Sequence, residues 1–321
     1  MKKNILTLIF SIIICVAFGQ SKQFLFLPKW KVGETKTATV TQKETEYKNG
    51  NLVKDTTDYL DVEITVLKEN NEDYIIKVLY PNVALRAASS FYEKMGDELS
   101  DYKKLELQYK IDKRTGKYEL INWKEAQKFI KQSFDQINAL IKKKAPDAAS
   151  YTKLIFGPIE DMFKSKENVE SYMDSEVGCL FFPYGKKFIT GDTLITKKMS
   201  ANPFNPKDSI AQTTLSYLSN IDETNKVCAI NTKELYDLSA FKDMIKTMMA
   251  NMAKTLGATD SDKNDASKAI DSIDFDMTNL TITTFDFSST WPVKIVKTAK
   301  VIAATPKGKT EKIVTSTMTL K

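Results

Sequence analysis

Chemistry in this chain must proceed without histidine, because none of its 321 residues is one. Histidine is the usual general base near neutral pH and the commonest transition-metal ligand. Its absence excludes Ser-His-Asp and Cys-His nucleophilic systems and histidine-ligated zinc or iron. Zinc held by cysteine alone needs about four thiolates, and the chain has three cysteines. We therefore expect no metal and no cofactor, and an enzyme only through carboxylate or Ser-Lys chemistry.

Acidic residues offer two weak patterns. The segment Asp260-Ser261-Asp262-Lys263-Asn264 has the first ligand spacings of a calcium-binding loop, with Asp271 at the twelfth position. Asp265 stands where the sharp turn needs glycine, and Asp271 replaces the bidentate glutamate, so a solvated acidic loop is the preferred interpretation. Asp274 and Asp276 would share one face of a strand and could serve glycoside hydrolysis. With 41 acidic residues in the chain, such pairs also arise by chance.

The N-terminal segment has the features of an export signal. Two lysines precede the apolar run Ile5–Val16, which is shorter than the roughly 20 residues that a transmembrane helix needs. Ala17-Phe18-Gly19 places small residues at the cleavage positions, which predicts residues 1–19 as a signal peptide and Gln20 as the mature start. A bulky isoleucine precedes Cys15, which argues against lipidation. We expect the protein in the periplasm, at the cell surface or outside the cell.

The composition is that of a globular, exported chain. Apolar residues make up 42% and aromatic residues 10%, and the net charge of +6 comes from interspersed charges of both signs. Such a surface does not predict a nucleic-acid partner. No later stretch approaches 18 consecutive apolar residues, so we expect no transmembrane segment after cleavage.

Two cysteines, Cys179 and Cys228, remain once the N-terminal segment is removed. An exported protein meets an oxidising compartment, so an even pair predicts a disulfide; two independent buried thiols are the alternative. The bond would close a loop of roughly 50 residues and stabilise the protein by about 4 kcal/mol in the chain-entropy model.

Most of the chain alternates between apolar and polar residues, the pattern of half-buried β-strands. The strand Asp58–Leu67 places four aliphatic side chains on one face, and the polar run Lys68–Asp73 joins it to Tyr74–Tyr80 as an antiparallel hairpin. Further strands are predicted at 35–45, 105–111, 118–121, 177–184, 187–198, 209–221, 224–231, 280–287, 293–303 and 311–320.

Two helical insertions interrupt the strands. The first combines a helix that begins after Asn122, as N-cap, with a second helical stretch from Ala148 to Met173. The second insertion is the helix Leu238–Leu256, followed by a polar segment, Thr259–Asp274, predicted as a loop with a short helical piece. Its apolar stripe consists of Phe241, Met244, Ile245, Met248, Met249, Met252 and Leu256.

Strands followed by helices and then strands again differ from the regular alternation of a parallel βαβ fold. We predict an α+β fold that is mainly antiparallel β. It has one large curved sheet, resembling half a barrel, with two amphipathic helical insertions packed on its concave face. Residues 20–321 form a single mixed domain in this interpretation. The alternative is two sheet-plus-helix halves, 20–175 and 176–321.

Four short pieces of the sequence resemble an uncharacterised family of exported Bacteroidota proteins. They are Lys31-Val32-Gly33-Glu34, the strand Val62–Leu67, the turn and helix start from Ile111 to Glu125, and Trp291-Pro292-Val293. The pieces are turns and strands, and the family implies no activity. The order of elements is also similar to the unclosed barrel of the LolA and LppX type. That resemblance implies acyl chains held between a curved sheet and helices, without assigning a role to any residue.

These observations favour a non-enzymatic, exported envelope protein that binds a lipid or another apolar ligand, or an envelope component, between sheet and helices. Flexible thioethers adapt to irregular apolar guests. The candidate ligand-pocket residues are therefore Phe241, Met244, Met248, Met249 and Met252, with ordinary core packing as the alternative. A scaffold without a pocket and a histidine-independent hydrolase are the other hypotheses. No catalytic residue is predicted.

Overall fold

A computed structural model describes the chain over residues 22–81, 104–144, 157, 160, 163–201, 209–255, 260–306 and 308–321. The predicted signal peptide and the cleavage site before Gln20 lie outside the described residues. Among the described helices, none combines the length and apolar character that a membrane span requires.

One eleven-stranded sheet dominates the fold, and every neighbouring pair in it is antiparallel. The prediction of a mainly antiparallel fold is therefore confirmed. In spatial order the strands are β6 (Tyr118–Leu120), β5 (Leu105–Asp112), β4 (Asp73–Tyr80), β3 (Asn51–Glu69), β2 (Thr35–Lys48), β13 (Gly308–Leu320), β12 (Pro292–Thr305), β11 (Asp274–Asp286), β10 (Val227–Tyr236), β9 (Ser209–Asp222) and β8 (Leu194–Ala201). A separate pair joins β1 (Gln23–Leu25) to β7 (Lys187–Ile189).

Two meanders meet at a central seam, where β2 pairs with β13 from Ala38↔Leu320 to Lys48↔Thr310. An ion cluster crosses this seam. The Glu44 carboxylate on β2 lies 2.9 Å from Nζ of Lys312 on β13 and 3.0 Å from Nζ of Lys54 on β3. Burial raises the pKa of Glu44, but the hydrogen bonds and charges of the two lysines outweigh burial and lower it. The cluster therefore ties the two halves together most firmly at neutral pH.

Four helices are described: α1 (Trp123–Lys144), α2 (Lys166–Phe181), α3 (Leu238–Thr255) and α4 (Asp260–Asp271). The predictions of a helix after Asn122 and of a helix from Leu238 are confirmed. The polar segment that was predicted as a loop with a short helical piece forms helix α4 over Asp260–Asp271. Twelve helical residues extend over about 18 Å, so this backbone does not form the sharply turned loop of a calcium site. The helix instead buries Ile270, which is 6% exposed.

Helix α2 replaces the strand that was predicted at 177–184. Ser165 caps its start, where its Oγ accepts a hydrogen bond from the Asn168 N–H at 3.2 Å. The helix continues through Phe181 into a turn. Its buried residues recur at helical spacing, which overrides the strand-like run of apolar residues at its end: they are Val169, Met173, Val177, Leu180 and Phe181.

Helix α2 contacts β6 and β8, which are the two edge strands, and also β12 near the middle of the sheet. Ten spacings of about 4.8 Å would make a flat sheet of eleven strands roughly 48 Å wide. A helix of 16 residues is only about 24 Å long. Contact with both edges therefore requires the sheet to bend towards α2. We call the sheet face that meets α2 the inner face.

An aromatic cluster fixes the N-terminal segment against both halves of the sheet. Trp30 stacks on Trp291 with ring centroids 4.6 Å apart and meets Tyr184 edge-on at 5.1 Å. The indole N–H of Trp291 donates a hydrogen bond to Glu34 at 2.9 Å. Two of the sequence pieces that carry the family resemblance, those containing Glu34 and Trp291, thus lie in direct contact as structural elements.

Candidate ligand-binding cleft

A cavity of about 550 Å³ lies between α2 and the C-terminal half of the inner face. We call it the polar compartment. Helix α2 and the turn after it contribute five lining residues, and β8 to β12 supply nearly all the others. They are Ser171, Gly178, Cys179, Phe182 and Lys186, together with Tyr118, Thr196, Lys198, Gln212, Thr214, Thr232, Glu234, Tyr236, Asn279, Thr281, Thr283 and Lys297.

Strand β9 turns its polar residues inwards, the reverse of ordinary amphipathic patterning. Thr214 and Ser216 are 6% and 1% exposed, whereas Tyr217, on the opposite face, is 43% exposed. Ser216 and Thr232 of β10 share a hydrogen bond at 3.2 Å between their hydroxyl oxygens. Burying hydroxyls is unfavourable unless they find partners. Because several of these groups line the polar compartment, they can offer hydrogen bonds to a guest.

A hydrogen-bond network fixes the wall of the polar compartment that β9, β10 and β11 form. The Tyr236 hydroxyl donates to Oε2 of Glu234 at 2.6 Å, and Nδ2 of Asn279 donates to the same oxygen at 3.2 Å. Nε2 of Gln212 donates to the Tyr236 hydroxyl oxygen at 3.4 Å. Burial, and next the hydrogen bond to Glu234, raise the pKa of Tyr236. The phenol therefore stays protonated and holds the Glu234 carboxylate in place.

Three lysines line the polar compartment: Lys186 after α2, Lys198 on β8 and Lys297 on β12. Nζ of Lys186 lies 3.1 Å from the centroid of the Phe182 ring, a cation–π contact. Burial, assisted by the positive charge of Lys198, lowers the pKa of Lys186 to about 8. Among the described lining residues Glu234 is the single carboxylate, so the wall carries an excess of positive charge.

Close backbone contact positions the turn that carries Lys186. Gly185 has φ +70°, and a Cβ atom added to it would lie 1.6 Å from the Thr115 carbonyl oxygen. Its N–H donates to the Phe26 carbonyl at 2.8 Å. The preceding Tyr184 donates its hydroxyl to the Thr290 carbonyl at 2.6 Å. Glycine at residue 185 is thus required both by the backbone conformation and by the lack of space.

A second cavity, of about 280 Å³, lies under α2 at the central seam. We call it the apolar compartment, because aliphatic and aromatic side chains form most of its wall. Cys179 and Lys297 line both compartments, so the two adjoin at these residues. The other lining residues are Val40, Gln42, Leu60, Tyr80, Ile295, Ala299, Val314, Ser316 and Met318.

The methionine-rich helix α3 contributes none of the described residues that line these two compartments. It contacts α4 and β11. Met249 is 38% exposed. The side chains of the other candidates, Phe241, Met244, Met248 and Met252, lie outside the described part of the structure. Their assignment to a ligand pocket therefore remains a prediction.

The structure has no disulfide between Cys179 and Cys228, both of which are described. Cys228 is fully buried on β10 and belongs to the hydrophobic core, whereas Cys179 lies on α2 at the junction of the two compartments. Burial raises the pKa of the Cys228 thiol to about 12. The expected disulfide is thus replaced by two thiols in different surroundings.

Other predicted chemistry finds no site in the described residues. No group of three acidic or thiol side chains there is arranged to hold a metal ion. Asp274 and Asp276 share one face of β11, as predicted, but both are exposed and neither lines the compartments. The polar residues of β9 were missed by sequence reasoning, although their inward placement is visible as hydroxyl and amide residues alternating with Leu215 and Tyr217.

Comparisons with known proteins assign no family. No family model matches the chain, and no curated protein matches it either. Among solved structures, the attachment invasion locus protein Ail of Yersinia pestis has 5% identity and a TM-score of 0.15, covering 91% of this chain and 100% of Ail. An outer membrane channel from Pseudomonas putida F1 has 9% identity and a TM-score of 0.17, covering 92% and 98% of the two chains. TM-scores this low do not indicate a shared fold.

Proposed function

We propose that this is an exported, non-enzymatic protein of the cell envelope that binds an amphiphile between α2 and the inner face of the sheet. The observation that carries the proposal is the pair of adjoining compartments, one apolar and one polar, which meet at Cys179 and Lys297. An amphiphile has the same division into an apolar and a polar part. A purely apolar ligand would account for only the smaller compartment.

The bend of the sheet supports this assignment. The contacts of α2 with both edge strands support a concave inner face with α2 lying within the curve. Helix α2 meets that face at β6, β8 and β12, and its Phe181 ring also packs on Tyr109 of β5, with ring centroids 5.4 Å apart. The strands between these contacts are left to form the floor of the compartments.

The sizes of the compartments limit the ligand. A dry apolar cavity of about 150 Å³ suffices for benzene, so the apolar compartment, at about 280 Å³, accommodates a short acyl chain or the first part of a long one. The polar compartment, at about 550 Å³, falls within the range of roughly 300–1,000 Å³ typical of ligand sites.

Binding can be tested on mature protein purified without detergent. The probe is 11-(dansylamino)undecanoic acid, whose fluorescence rises in an apolar site. Cys179→Trp would place an indole where the two compartments meet, and we expect it to weaken probe binding at least tenfold. Glu167→Trp is the matched control, because residue 167 is exposed on the same helix and lines neither compartment.

The result that would contradict the proposal is equal probe affinity in wild-type protein and Cys179→Trp. Absence of binding to the wild-type protein would favour the scaffold hypothesis. Export is tested separately by intact-mass measurement of the periplasmic or secreted protein. We expect a mature N-terminus at or near Gln20; an uncleaved N-terminus, or an acylated Cys15, would contradict export by this route.

A further inference from the structure

The polar compartment has a chemical preference of its own. Its described wall has three lysines and one carboxylate, and that carboxylate already accepts two hydrogen bonds from Tyr236 and Asn279. Glu234 is thus held within the protein network, while the lysine charges exceed it in number. Lysine ammonium groups attract an anionic guest, and they offer a neutral guest no comparable electrostatic attraction.

The remaining wall groups recognise oxygen atoms. Gln212, Thr214, Thr232 and Thr283 line the compartment from three adjacent strands and are each no more than 9% exposed. Hydroxyl and amide groups both donate and accept hydrogen bonds, so they suit a guest that carries hydroxyls. Such groups are built into the floor of the sheet and are not a feature of a mobile surface.

The volume of the polar compartment favours a guest larger than a bare carboxylate. Since one water molecule takes up about 30 Å³ in the liquid, the compartment of about 550 Å³ has the volume of roughly 18 waters. A single carboxylate would occupy a small part of it and would reach few of the strand hydroxyls. A larger head group, with an anion and several hydroxyls, would contact both the lysines and the strand floor.

We propose that the polar compartment binds the anionic, hydroxyl-bearing head group of an amphiphile, with Lys186 and Lys198 contacting the anion and the floor of β9 to β11 contacting the hydroxyls. This assignment rests on the proposed function and names the ligand class of the same site. The lowered pKa of Lys186 agrees with it, because a half-buried amine near a second cation is stabilised by an anionic guest.

Three soluble probes test the head group by isothermal titration calorimetry, each below its micelle concentration. Dihexanoylphosphatidylglycerol has tails, an anion and hydroxyls; dihexanoylglycerol has the same tails without the anion; glycerol 3-phosphate has no tails. We expect the first to bind at least tenfold more tightly than either of the others. Equal affinity for the two tailed probes would overturn the head-group assignment and leave the proposed function standing.

Lysine variants locate the anion. We expect Lys198→Met and Lys186→Met each to weaken phosphatidylglycerol binding about tenfold and to leave dihexanoylglycerol binding unchanged. Lys187→Met is the matched control, because Lys187 is exposed and lines neither compartment. Lys198 is exposed on an edge strand, so its variant tests the assignment even if replacement of Lys186 disturbs folding.

The other outcomes are also decisive. If glycerol 3-phosphate binds as tightly as phosphatidylglycerol, the compartment is a site for a free anion and the amphiphile proposal fails. If no probe binds, both proposals fail. If the lysine variants weaken both tailed probes equally, the lysines support the fold and do not contact the head group, which overturns the assignment.

Discussion

Replacing Lys186 with methionine should stabilise the protein without a ligand, because it removes a charge from the polar compartment. Burial is the main cause that lowers the pKa of this amine from 10.5 to about 8, and Lys198 is the second. One pKa unit corresponds to about 1.4 kcal/mol, so the charge destabilises the folded state by at most ~3.5 kcal/mol. The contact with Phe182 offsets about 1 kcal/mol. We expect Lys186→Met to raise the free energy of unfolding by about 2 kcal/mol at pH 7.

The pH dependence of this difference has a definite sign. Between pH 8 and pH 10.5 the unfolded state binds more protons at residue 186 than the folded state does. The stability of the wild-type protein therefore rises with pH in this window. The advantage of the variant should be constant below pH 8 and disappear by pH 10.5. The other charged or titratable groups of the compartment, Lys198, Lys297, Glu234 and Tyr236 among them, are common to both proteins.

Urea denaturation followed by tryptophan fluorescence at pH 7, 9 and 10.5 measures this difference. Lys187→Met controls for loss of a lysine at the neighbouring, exposed residue and should change the stability by less than about 0.5 kcal/mol. The reasoning is refuted if Lys186→Met is no more stable than the wild-type protein at pH 7 while the control behaves as expected. It is also refuted if the advantage of the variant grows between pH 8 and pH 10.5.

Three further predictions concern the seam, the turn and the thiols. Glu44→Gln should lower the free energy of unfolding by about 1 kcal/mol at pH 7. The loss should vanish as pH falls below about 4.5 and the carboxylate of the wild-type protein takes up a proton, because a carboxylate with a lowered pKa stabilises the fold only while it is charged. Equal losses at pH 7 and pH 3.5 in urea titrations would contradict this. Gly185→Ala should destabilise the protein by more than about 3 kcal/mol, whereas Gly191→Ala, also at positive φ but in open space, should cost about 1–2 kcal/mol; melting temperatures compare the two variants. N-ethylmaleimide should label Cys179 in native protein and spare Cys228, whose pKa of about 12 leaves almost no thiolate, and peptide mass mapping would detect the opposite pattern.

The sheet was predictable from the sequence because its strands obey a simple rule. Where one face is buried, apolar residues alternate with polar ones, and β4 illustrates this with Tyr74, Ile76, Val78 and Tyr80 all buried. The polar run before it then requires a hairpin. Antiparallel pairing of neighbours in the chain follows from such local signals.

The end of α2 was mispredicted because a short apolar run does not distinguish the periodicity of a helix from that of a strand. The residues from Val177 to Phe181 are aliphatic or aromatic apart from Gly178 and Cys179, and a buried strand would have the same composition. The helix is determined by residues further back, since Val169 and Met173 continue the same buried stripe. Recognition of Ser165 as the N-cap would have extended the helix to this run.

The cleft was not predictable, because it breaks the rule that made the sheet predictable. On β9, ordinary amphipathic patterning would bury Leu215 and Tyr217 and expose Thr214 and Ser216, but the structure buries the hydroxyls. Only pairing with β10, which brings Ser216 opposite Thr232, shows that the polar residues form a continuous inner surface. A conflict between the local sequence pattern and the burial in the structure is expected at sites that bind a ligand.

The position of β13 has a consequence for assembly of the fold. This strand lies in the middle of the sheet, although it follows all the other sheet strands in chain order. Until it is in place, both β2 and β12 present unpaired backbone edges of 14 residues, which are templates for pairing with other chains. Folding therefore depends on contacts between distant parts of the sequence and should be slow. A chain that ends before β13 would expose two unpaired strand edges, those of β2 and β12, and should self-associate.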